Sequence, residues 1–358
     1  MTWLERKTRA LCVTLAPANF PWRGFLATLS LGVTGALLFD GWGIPLPWML
    51  GSLTIVTLGA VLRLPLVAPA VVRSPMTAII GVMLGGGFTP DLLGNAAAWG
   101  VTLAGLMAYT VLAAVLCLWY LMTVAGYEHK TAFFSAMPGG LVEMIELSTA
   151  KGADIRIVAL THGARVLVIV FTMPILIQVL DSAAGADIQQ AARPGLAETS
   201  VLAFVELIVA AIAGVWVGER LRLPARHLLG PMLVSGLVHL SGIARFTPAA
   251  EIVQAAQLVI GTILGARFVG TAPALIGRTL AVAIGMVALL VSTTVAMAVL
   301  VSLFVDQSII VLILAYTPGG LPEMSLLAIA LGADVAFVAT HHLFRLLAVM
   351  LGAGQVYR

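Results

Sequence analysis

Long apolar stretches, separated by short polar connections, run along nearly the whole chain. Examples are residues 24–39, 97–124, 157–180 and 279–305, which contain very few charged side chains. A helix of roughly 20 apolar residues spans the hydrocarbon core of a bilayer, and these runs approach or exceed that length. The longest polar connection is roughly residues 181–199. The pattern therefore predicts an all-α polytopic membrane protein with no sizeable soluble domain.

The second half of the chain repeats the first half at a constant offset of 180 residues. Residues 138–154 read PGGLVEMIELSTAKGAD, and residues 318–334 read PGGLPEMSLLAIALGAD. Over the 30 positions that begin at these two prolines, 16 are identical, including several polar ones. A shorter match pairs residues 80–88 with residues 260–268. We interpret the chain as a tandem duplication.

The duplication predicts an organisation in two membrane repeats. The expected segments are a cytoplasmic tail (1–23), a first membrane repeat (24–180), a linker (181–199) and a second membrane repeat (200–358). Each repeat is predicted to hold about five transmembrane helices and one broken or re-entrant segment, near 131–150 and 308–330. An odd number of crossings per repeat would invert the two repeats relative to each other in the membrane.

The positions of Lys and Arg favour this inverted arrangement with the N-terminus in the cytoplasm. With five crossings per repeat, 14 of the 19 basic residues fall inside, two outside (Arg193 and Arg245) and three within spans. Short cytoplasmic loops are enriched in Lys and Arg. Six crossings would make the repeats parallel and would place the basic sequence ERLRLPAR outside, which the same bias disfavours.

Composition supports a membrane location and excludes several other classes. Of the 358 residues, 61% are hydrophobic and 10% are charged, against about 25% charged in soluble proteins. The net charge is +3, and the basic residues lie in short loops, so no nucleic-acid partner is expected. Only Cys12 and Cys117 are present, without metal-ligand spacing, so no disulfide, metal or cofactor is expected. The expected partners are the lipid bilayer and a small molecule or ion, and a homo-oligomer remains open.

The repeated Pro-Gly-Gly sequence should interrupt a helix in each half. Proline removes an N–H donor and glycine is conformationally free, so a helix should stop and restart there with free N–H groups at its new start. The candidate substrate- or ion-binding residues are Pro138, Gly139, Gly140 and Glu143 in the first half, and Pro318, Gly319, Gly320 and Glu323 in the second. Each Glu either satisfies its helix start or is a protonatable, cation-binding carboxylate facing a central cavity.

The helix that follows each break carries an Asp, a His and an Arg at equal spacing: Asp154, His162 and Arg165, and Asp334, His342 and Arg345. At about 100° per residue all three lie within an arc of about 80° on one face. Each Arg either pairs with the nearby Glu or holds the carboxylate of an anionic substrate. Each His is either a hydrogen-bonded core residue or a proton relay. The Asp residues are expected to cap the helix start, and Arg267 is an unpaired charge that could face the cavity.

At these residues the sequence resembles a known family. AMPGGLVEMIELSTAKGAD with THGARV, and PGGLPEMSLLAIALGAD with HHLFRL, look like the signature of the bacterial AbrB-duplication membrane proteins. The resemblance covers nearly the whole chain beyond about the first 25 residues. It implies a bacterial inner-membrane protein, and the labels used in that family are ammonia monooxygenase and regulator of gene expression. Pro322 for Val142 and His341 for Thr161 imply that the two halves have unequal roles.

Three functions remain open from the sequence. A secondary transporter of a small solute, coupled to protons or Na⁺, explains the inverted duplication, the paired breaks and the buried Glu and Arg. A membrane oxygenase would need converging His or carboxylate ligands, and the six histidines contain no HxxH or HxxxH spacing, so catalytic residues are not expected. A regulatory membrane protein would act on transcription through transport or through a partner.

Overall fold

The structure, a computed structural model, describes residues 20–44, 46–68, 70–88, 99–184, 194–243 and 248–356. These residues form helices and connecting turns, with no strand among them. In chain order the helices are α1 (Trp22–Gly41), α2 (Pro47–Val61), α3 (Ala70–Gly85), α4 (Trp99–Thr123), α5 (His129–Ala136), α6 (Leu141–Ala150), α7 (Ile155–Ala184), α8 (Val201–Arg220), α9 (Arg226–Leu240), α10 (Ala250–Ala266), α11 (Pro273–Ser302), α12 (Ile309–Tyr316), α13 (Leu321–Ala330) and α14 (Val335–Val356).

Six of these helices are long and apolar enough to cross a membrane: α1, α4, α7, α8, α11 and α14. Four more, α2, α3, α10 and α13, are shorter but apolar. Many large apolar side chains are exposed on the outside of the bundle, for example Trp119, Val201 and Leu351. An apolar outer surface is stable against lipid and not against water, so the all-α, membrane-embedded class is confirmed.

The 180-residue offset of the sequence is reproduced by the helices. Helices α5 and α12 have bounds that differ by 180 residues at both ends, and so do α6 and α13. The remaining helices pair in the same order, α1 to α4 with α8 to α11, and α7 with α14. Of the predicted segments, residues 1–19 of the tail and 185–193 of the linker lie outside the described residues.

The third helix of each repeat packs on the first two helices of the other repeat. Helix α10 contacts α2 and α1, and α3 contacts α9 and α8. Glycines permit the close approach: an added Cβ at Gly261 or Gly265 of α10 would clash with the backbone of α2 near Met49 and Leu53, respectively. As α10 advances from the first glycine to the second, its contact on α2 also advances. The two helices are therefore parallel.

The glycine-rich sequence LGGGF has the packing role expected for it. An added Cβ at Gly85 would meet Met232 O and Gly236 N at 2.6 Å, so α3 lies directly against α9. This contact replaces the phosphate-binding loop that the run of glycines superficially resembles.

The equivalent helices α4 and α11 pack antiparallel across the middle of the molecule. Gly105 of α4 lies against Val301 near the end of α11, and Gly285 near the start of α11 lies against Tyr120 near the end of α4. Because position 285 is position 105 of the other repeat, the two contacts are related by an approximate two-fold axis. This antiparallel pair forms part of the buried core.

Candidate functional site

The short helices α5 and α6 form a hairpin beside α7. At its base, the Oγ1 of Thr131, in the first turn of α5, accepts a hydrogen bond of 3.1 Å from the backbone N–H of Asp154. At its tip, Nη1 of Arg165 donates to the carbonyl of Met137 at 3.2 Å. Helix α5 therefore runs alongside α7 in the same direction. Because α7 begins beside the start of α5, α6 must return from the tip to the base.

The second repeat contains the same hairpin, formed by α12 and α13 beside α14. Arg345 Nη1 donates to the carbonyls of Tyr316, at 2.9 Å, and Thr317, at 3.2 Å. One turn earlier on α14, His342 Nε2 bonds the carbonyl of Leu314 at 2.9 Å. The hydrogen bonds thus follow the 180-residue offset and hold α12 against α14.

The repeated His and Arg form one hydrogen-bonded pair in each half. Arg165 Nη2 lies 3.0 Å from Nδ1 of His162, and Arg345 Nη2 lies 2.9 Å from Nδ1 of His342. Since Arg can only donate, Nδ1 must accept, and Nε2 carries the proton given to a carbonyl of the short helix. Both rings are therefore neutral in this arrangement. This supports the hydrogen-bonded role for His, and the proton relay stays a prediction.

The two Arg side chains satisfy the carboxyl end of a broken helix. Met137 and Thr317 are the residues that terminate α5 and α12. The last carbonyls of a helix have no partner within it, and a cation near them is favourable. Since backbone donors end at the Pro-Gly-Gly break, the guanidinium supplies the missing hydrogen bonds.

The expected pairing of Arg with Glu is not what the second repeat shows. Between the described residues Arg345 and Glu323 there is no ion pair within 4 Å, and both terminal nitrogens of Arg345 are occupied by the carbonyls and by His342. For the first repeat, Glu143 lies in the first turn of α6, but its side chain is outside the described residues. The Arg residues therefore secure the hairpins through backbone atoms.

Helices α6 and α13 start at the breaks without a side-chain cap from their N-cap residues, Gly140 and Gly320. Gly320 has φ of 91°, a conformation that favours glycine. An added Cβ there would clash with the carboxylate of Glu323, which shows that this side chain turns back over the start of its own helix. Glu323 is buried, with 8% exposure. This geometry favours the helix-start role for Glu323.

The Asp residues expected to cap the next helices do so. Asp154 Oδ1 accepts the backbone N–H groups of Arg156 and Ile157 at 3.0 and 3.1 Å, and Asp334 Oδ1 accepts that of Phe337 at 2.9 Å. The caps fix where α7 and α14 begin. They thereby fix the position of the His and Arg further along each helix.

Each hairpin tip packs against the last helix of the other repeat. An added Cβ at Gly139 would meet Val349 of α14 at 3.0 Å, and one at Gly319 would meet Ile169 of α7 at 2.8 Å. The residue pairs are again related by the offset of 180. The absence of side chains at Gly139 and Gly319 lets the two tips approach one another in the interior.

A cavity of about 700 Å³ lies where the two tips meet. Both hairpins contribute to it, as do α3, α7, α10, α14 and the segment from Leu223 to Leu228. The committed candidates Pro138, Gly139, Gly140, Pro318 and Gly320 line it, together with the charged or polar side chains of Arg165, His162, Glu323, His342 and Arg345. Gly319 is not among the lining residues. Thus residues 180 positions apart are brought together at one site.

The structure adds charged lining residues that the sequence did not single out: Arg73, Glu146, Arg226 and His227. Only their place in predicted loops or near helix ends was visible in the sequence, where Arg73 and Arg226 counted as topology signals. Arg267 does line the cavity, and its Cδ lies 3.5 Å from the Cβ position of Gly163 on α7. The site carries more positive than negative side chains.

The second repeat has a buried polar cluster that the first lacks. His341 Nε2 bonds Oγ1 of Thr102 at 2.8 Å, and the Tyr316 hydroxyl donates to the Thr102 carbonyl at 2.6 Å. The position equivalent to His341 is Thr161, whose hydroxyl lies 3.3 Å from that of Tyr127. The halves thus differ beside the site, as the exchange of His for Thr predicts. No sequence motif indicated that Thr102, on α4, would be the partner.

Among the described residues, no three His, Cys, Asp or Glu side chains lie close enough together to bind a metal ion. The described cysteine, Cys117, is buried on α4 and makes no disulfide.

The fold and the site define a polytopic helical membrane protein with two broken hairpins that converge on an internal cavity. The family described as "Transition state regulatory protein AbrB" matches residues 8–358. The chain belongs to this AbrB family.

Two relatives share the family character. A Bacillus subtilis protein named "Uncharacterized protein YhjN" is 26% identical over 350 residues, which is 92% of this chain and 91% of that protein. An Escherichia coli protein named "Putative regulator AbrB" is 25% identical over 284 residues, covering 78% of this chain and 80% of that protein. No solved structure matches the chain with comparable significance.

Proposed function

We propose that the protein is a secondary transporter that binds a small solute at the meeting point of its two hairpins. The observation that carries the proposal is the cavity of about 700 Å³ lined by both Pro-Gly-Gly tips. Small-molecule sites typically have volumes of about 300–1,000 Å³. Broken helices that meet in the interior at a repeat interface are the usual construction of secondary transporter sites.

The proposed topology has five crossings per repeat, two re-entrant hairpins and an inverted relation between the repeats. The hydrogen bond of 3.1 Å between Thr131 and Asp154 supports re-entry, since it brings the base of the first hairpin to the start of α7. The antiparallel packing of the equivalent helices α4 and α11 supports inversion. So does the parallel packing of α10 on α2, since α10 is equivalent to α3, which follows α2 with the opposite direction in this topology.

The charge bias then places the N-terminus in the cytoplasm of a bacterium, at its inner membrane. In this orientation the first hairpin enters from the cytoplasmic face and the second from the outer face. The connection preceding α3 and the connection between α8 and α9 lie on the cytoplasmic face. Since Arg73 and Arg226, from these two places, line the cavity and are exposed, the cavity opens towards the cytoplasm. The structure therefore corresponds to an inward-facing state of the proposed transporter.

Coupling to protons or Na⁺ is part of the proposal, with Glu323 and Glu143 as the carboxylates concerned. Glu323 is buried and lines the cavity without an ion pair among the described residues. A buried carboxylate near the middle of a membrane is energetically unfavourable unless protonated or bound to a cation. Exchange of such a proton or cation is a means of coupling.

Cysteine labelling tests alternating access without knowledge of the solute. In a background with Cys12 and Cys117 replaced, single cysteines at the cavity positions Leu141 and Leu346 would be exposed to a membrane-impermeant thiosulfonate. A transporter predicts labelling from the cytoplasmic face and also, in inverted vesicles or under an ion gradient, from the outer face. Lys151→Cys, in the exposed turn after α6, is the control and should react from one face only.

Labelling of both cavity positions from a single face under every gradient would overturn the proposal, because a fixed cavity cannot transport by alternating access. A regulatory role is supported by the printed names of the family and of the Escherichia coli relative. An oxygenase role rests on the family label alone. Neither alternative has a site of its own among the described residues.

A further inference from the structure

We infer that the solute bound in the cavity is a small organic carboxylate, and that Arg267 is its principal anchor. This inference rests on the proposed function and specifies its substrate class. It follows from the charge of the cavity, from the free hydrogen-bonding capacity of two Arg residues and from the position of Glu323.

The cavity has an excess of positive charge. Its described lining contains five Arg (Arg73, Arg165, Arg226, Arg267 and Arg345) and two Glu (Glu146 and Glu323). Arg345 is committed to holding the second hairpin. The remaining guanidinium groups exceed the carboxylates, so an anion entering the cavity reduces the unbalanced charge.

Arg267 is the Arg best placed to bind a solute. Its stem crosses from α10 of the second repeat onto Gly163 of α7 in the first, and it makes no hydrogen bond or ion pair within 4 Å among the described residues. The equivalent positions are Gly87 and Leu343, so both the charge and the small residue beside it belong to one half only. A structural role shared by both repeats does not explain this asymmetry.

A second guanidinium has unused capacity. Arg165 is 3% exposed and lines the cavity, yet its buried Nε has no hydrogen-bond partner in the described part of the chain. Buried polar atoms are rarely left unpaired, and an unpaired one is a candidate contact for a missing ligand. The uncapped starts of α6 and α13 line the same cavity and also favour an anion.

The side chain of Glu323 indicates which anion suits the site. Its carboxylate turns back over Gly320 at the start of α13, and it interacts electrostatically with Arg267 across the cavity. It therefore acts as an internal carboxylate at the position where the solute's carboxylate would bind. The solute and Glu323 compete for the same positive charges.

The apolar part of the lining favours an organic body over an inorganic anion. Val166, Ile260, Ile263, Leu264 and Leu346 surround the charged groups. These side chains gain free energy by covering a hydrocarbon moiety, whereas phosphate or sulfate would leave them in contact with water or with an ion.

Equilibrium binding to the full chain in detergent or nanodiscs tests the inference. The probes are propionate, succinate and benzoate, with propionamide, propylammonium and inorganic phosphate as matched controls, read by thermal shift and calorimetry. At least one carboxylate should stabilise the protein, whereas its amide and amine analogues should not. Arg267→Gln should weaken that binding at least tenfold, whereas Arg278→Gln, which removes an exposed charge from the start of α11, should not.

Glu323→Gln supplies a readout that a merely structural role of Arg267 does not move. Removing the competing carboxylate should tighten carboxylate binding severalfold, provided the variant keeps the wild-type unfolding profile. Gly163→Leu offers a second route, since it fills the space of the Arg267 stem without removing a charge, and it should also weaken binding.

The inference is overturned if only the amine or only phosphate binds, if no carboxylate binds, or if carboxylate binding is unchanged in Arg267→Gln. Flux of the same probes into proteoliposomes separates this from the proposed function. Binding that depends on Arg267, without flux, would support the site and contradict transport. Flux of an amine or neutral solute would support transport and contradict the carboxylate.

Discussion

Replacing each hairpin-holding Arg by Met tests whether these residues stabilise the breaks through carbonyl groups. Met keeps an apolar stem of similar reach and removes every donor. Arg345→Met loses hydrogen bonds to the carbonyls of Tyr316 and Thr317 and to His342. Arg165→Met loses fewer, because in the first repeat only one carbonyl, that of Met137, is bonded along with the His.

The difference between the two variants can be estimated more securely than either value. In both, one carbonyl and one imidazole nitrogen lose their donor and a buried guanidinium disappears, so these contributions largely cancel. Thr317 O retains the N–H of Gly319 at 2.9 Å, so its extra bond to Arg345 contributes about 0.5–1.5 kcal/mol. Arg165→Met also removes an unpaired buried Nε, which relieves about 1–3 kcal/mol. Arg345→Met should therefore be the less stable variant by about 1.5–4.5 kcal/mol.

Equilibrium unfolding of both variants in mixed micelles would measure this difference, with hydrogen exchange to locate it. Amides of α12 and α13 should lose protection in Arg345→Met, while those of α5 and α6 should remain protected. Leu346→Met, a cavity-lining change of similar size next to Arg345, is the control for altered packing. Equal stability of the two variants, or a greater loss in Arg165→Met, would refute the assignment of the Arg residues to the carbonyl ends.

Two further predictions concern helix packing and helix starts. Gly51→Ala should destabilise the protein by about 1–3 kcal/mol, because its Cβ would clash with the backbone of Gly35, whereas Gly277→Ala, with nothing within 4 Å, should be neutral or slightly stabilising; thermal unfolding decides, and equal effects would contradict the close contact. Asp154→Ala and Asp334→Ala should each lower the free energy of unfolding by about 0.5–2 kcal/mol. The loss should be larger at Asp154, which accepts two N–H groups instead of one; denaturation curves in the reverse order would refute the geometry.

The sequence determined the class of the protein, the duplication and the place of the breaks. Long apolar runs can be stable only in lipid or in a core, and residues 138–140 and 318–320 interrupt helices through local backbone chemistry. Asp154 and Asp334 could be assigned as caps for the same reason, since a cap acts on N–H groups only two or three residues away. The neighbouring His and Arg were also predictable, being three residues apart on one helix.

Only the tertiary structure decided which distant segments meet. These helices are apolar on nearly every side, so their periodicity does not show which face packs on which partner. The exchange of α3 and α10 between repeats, and the cavity that joins Arg267 to Gly163, therefore could not be foreseen. The same holds for the partners of Arg165 and Arg345: the sequence offered a nearby Glu, but the fold places carbonyls with no other donor within reach. Local chemistry is written in neighbouring residues, whereas these contacts depend on the three-dimensional approach of helices whose sequences carry no record of it.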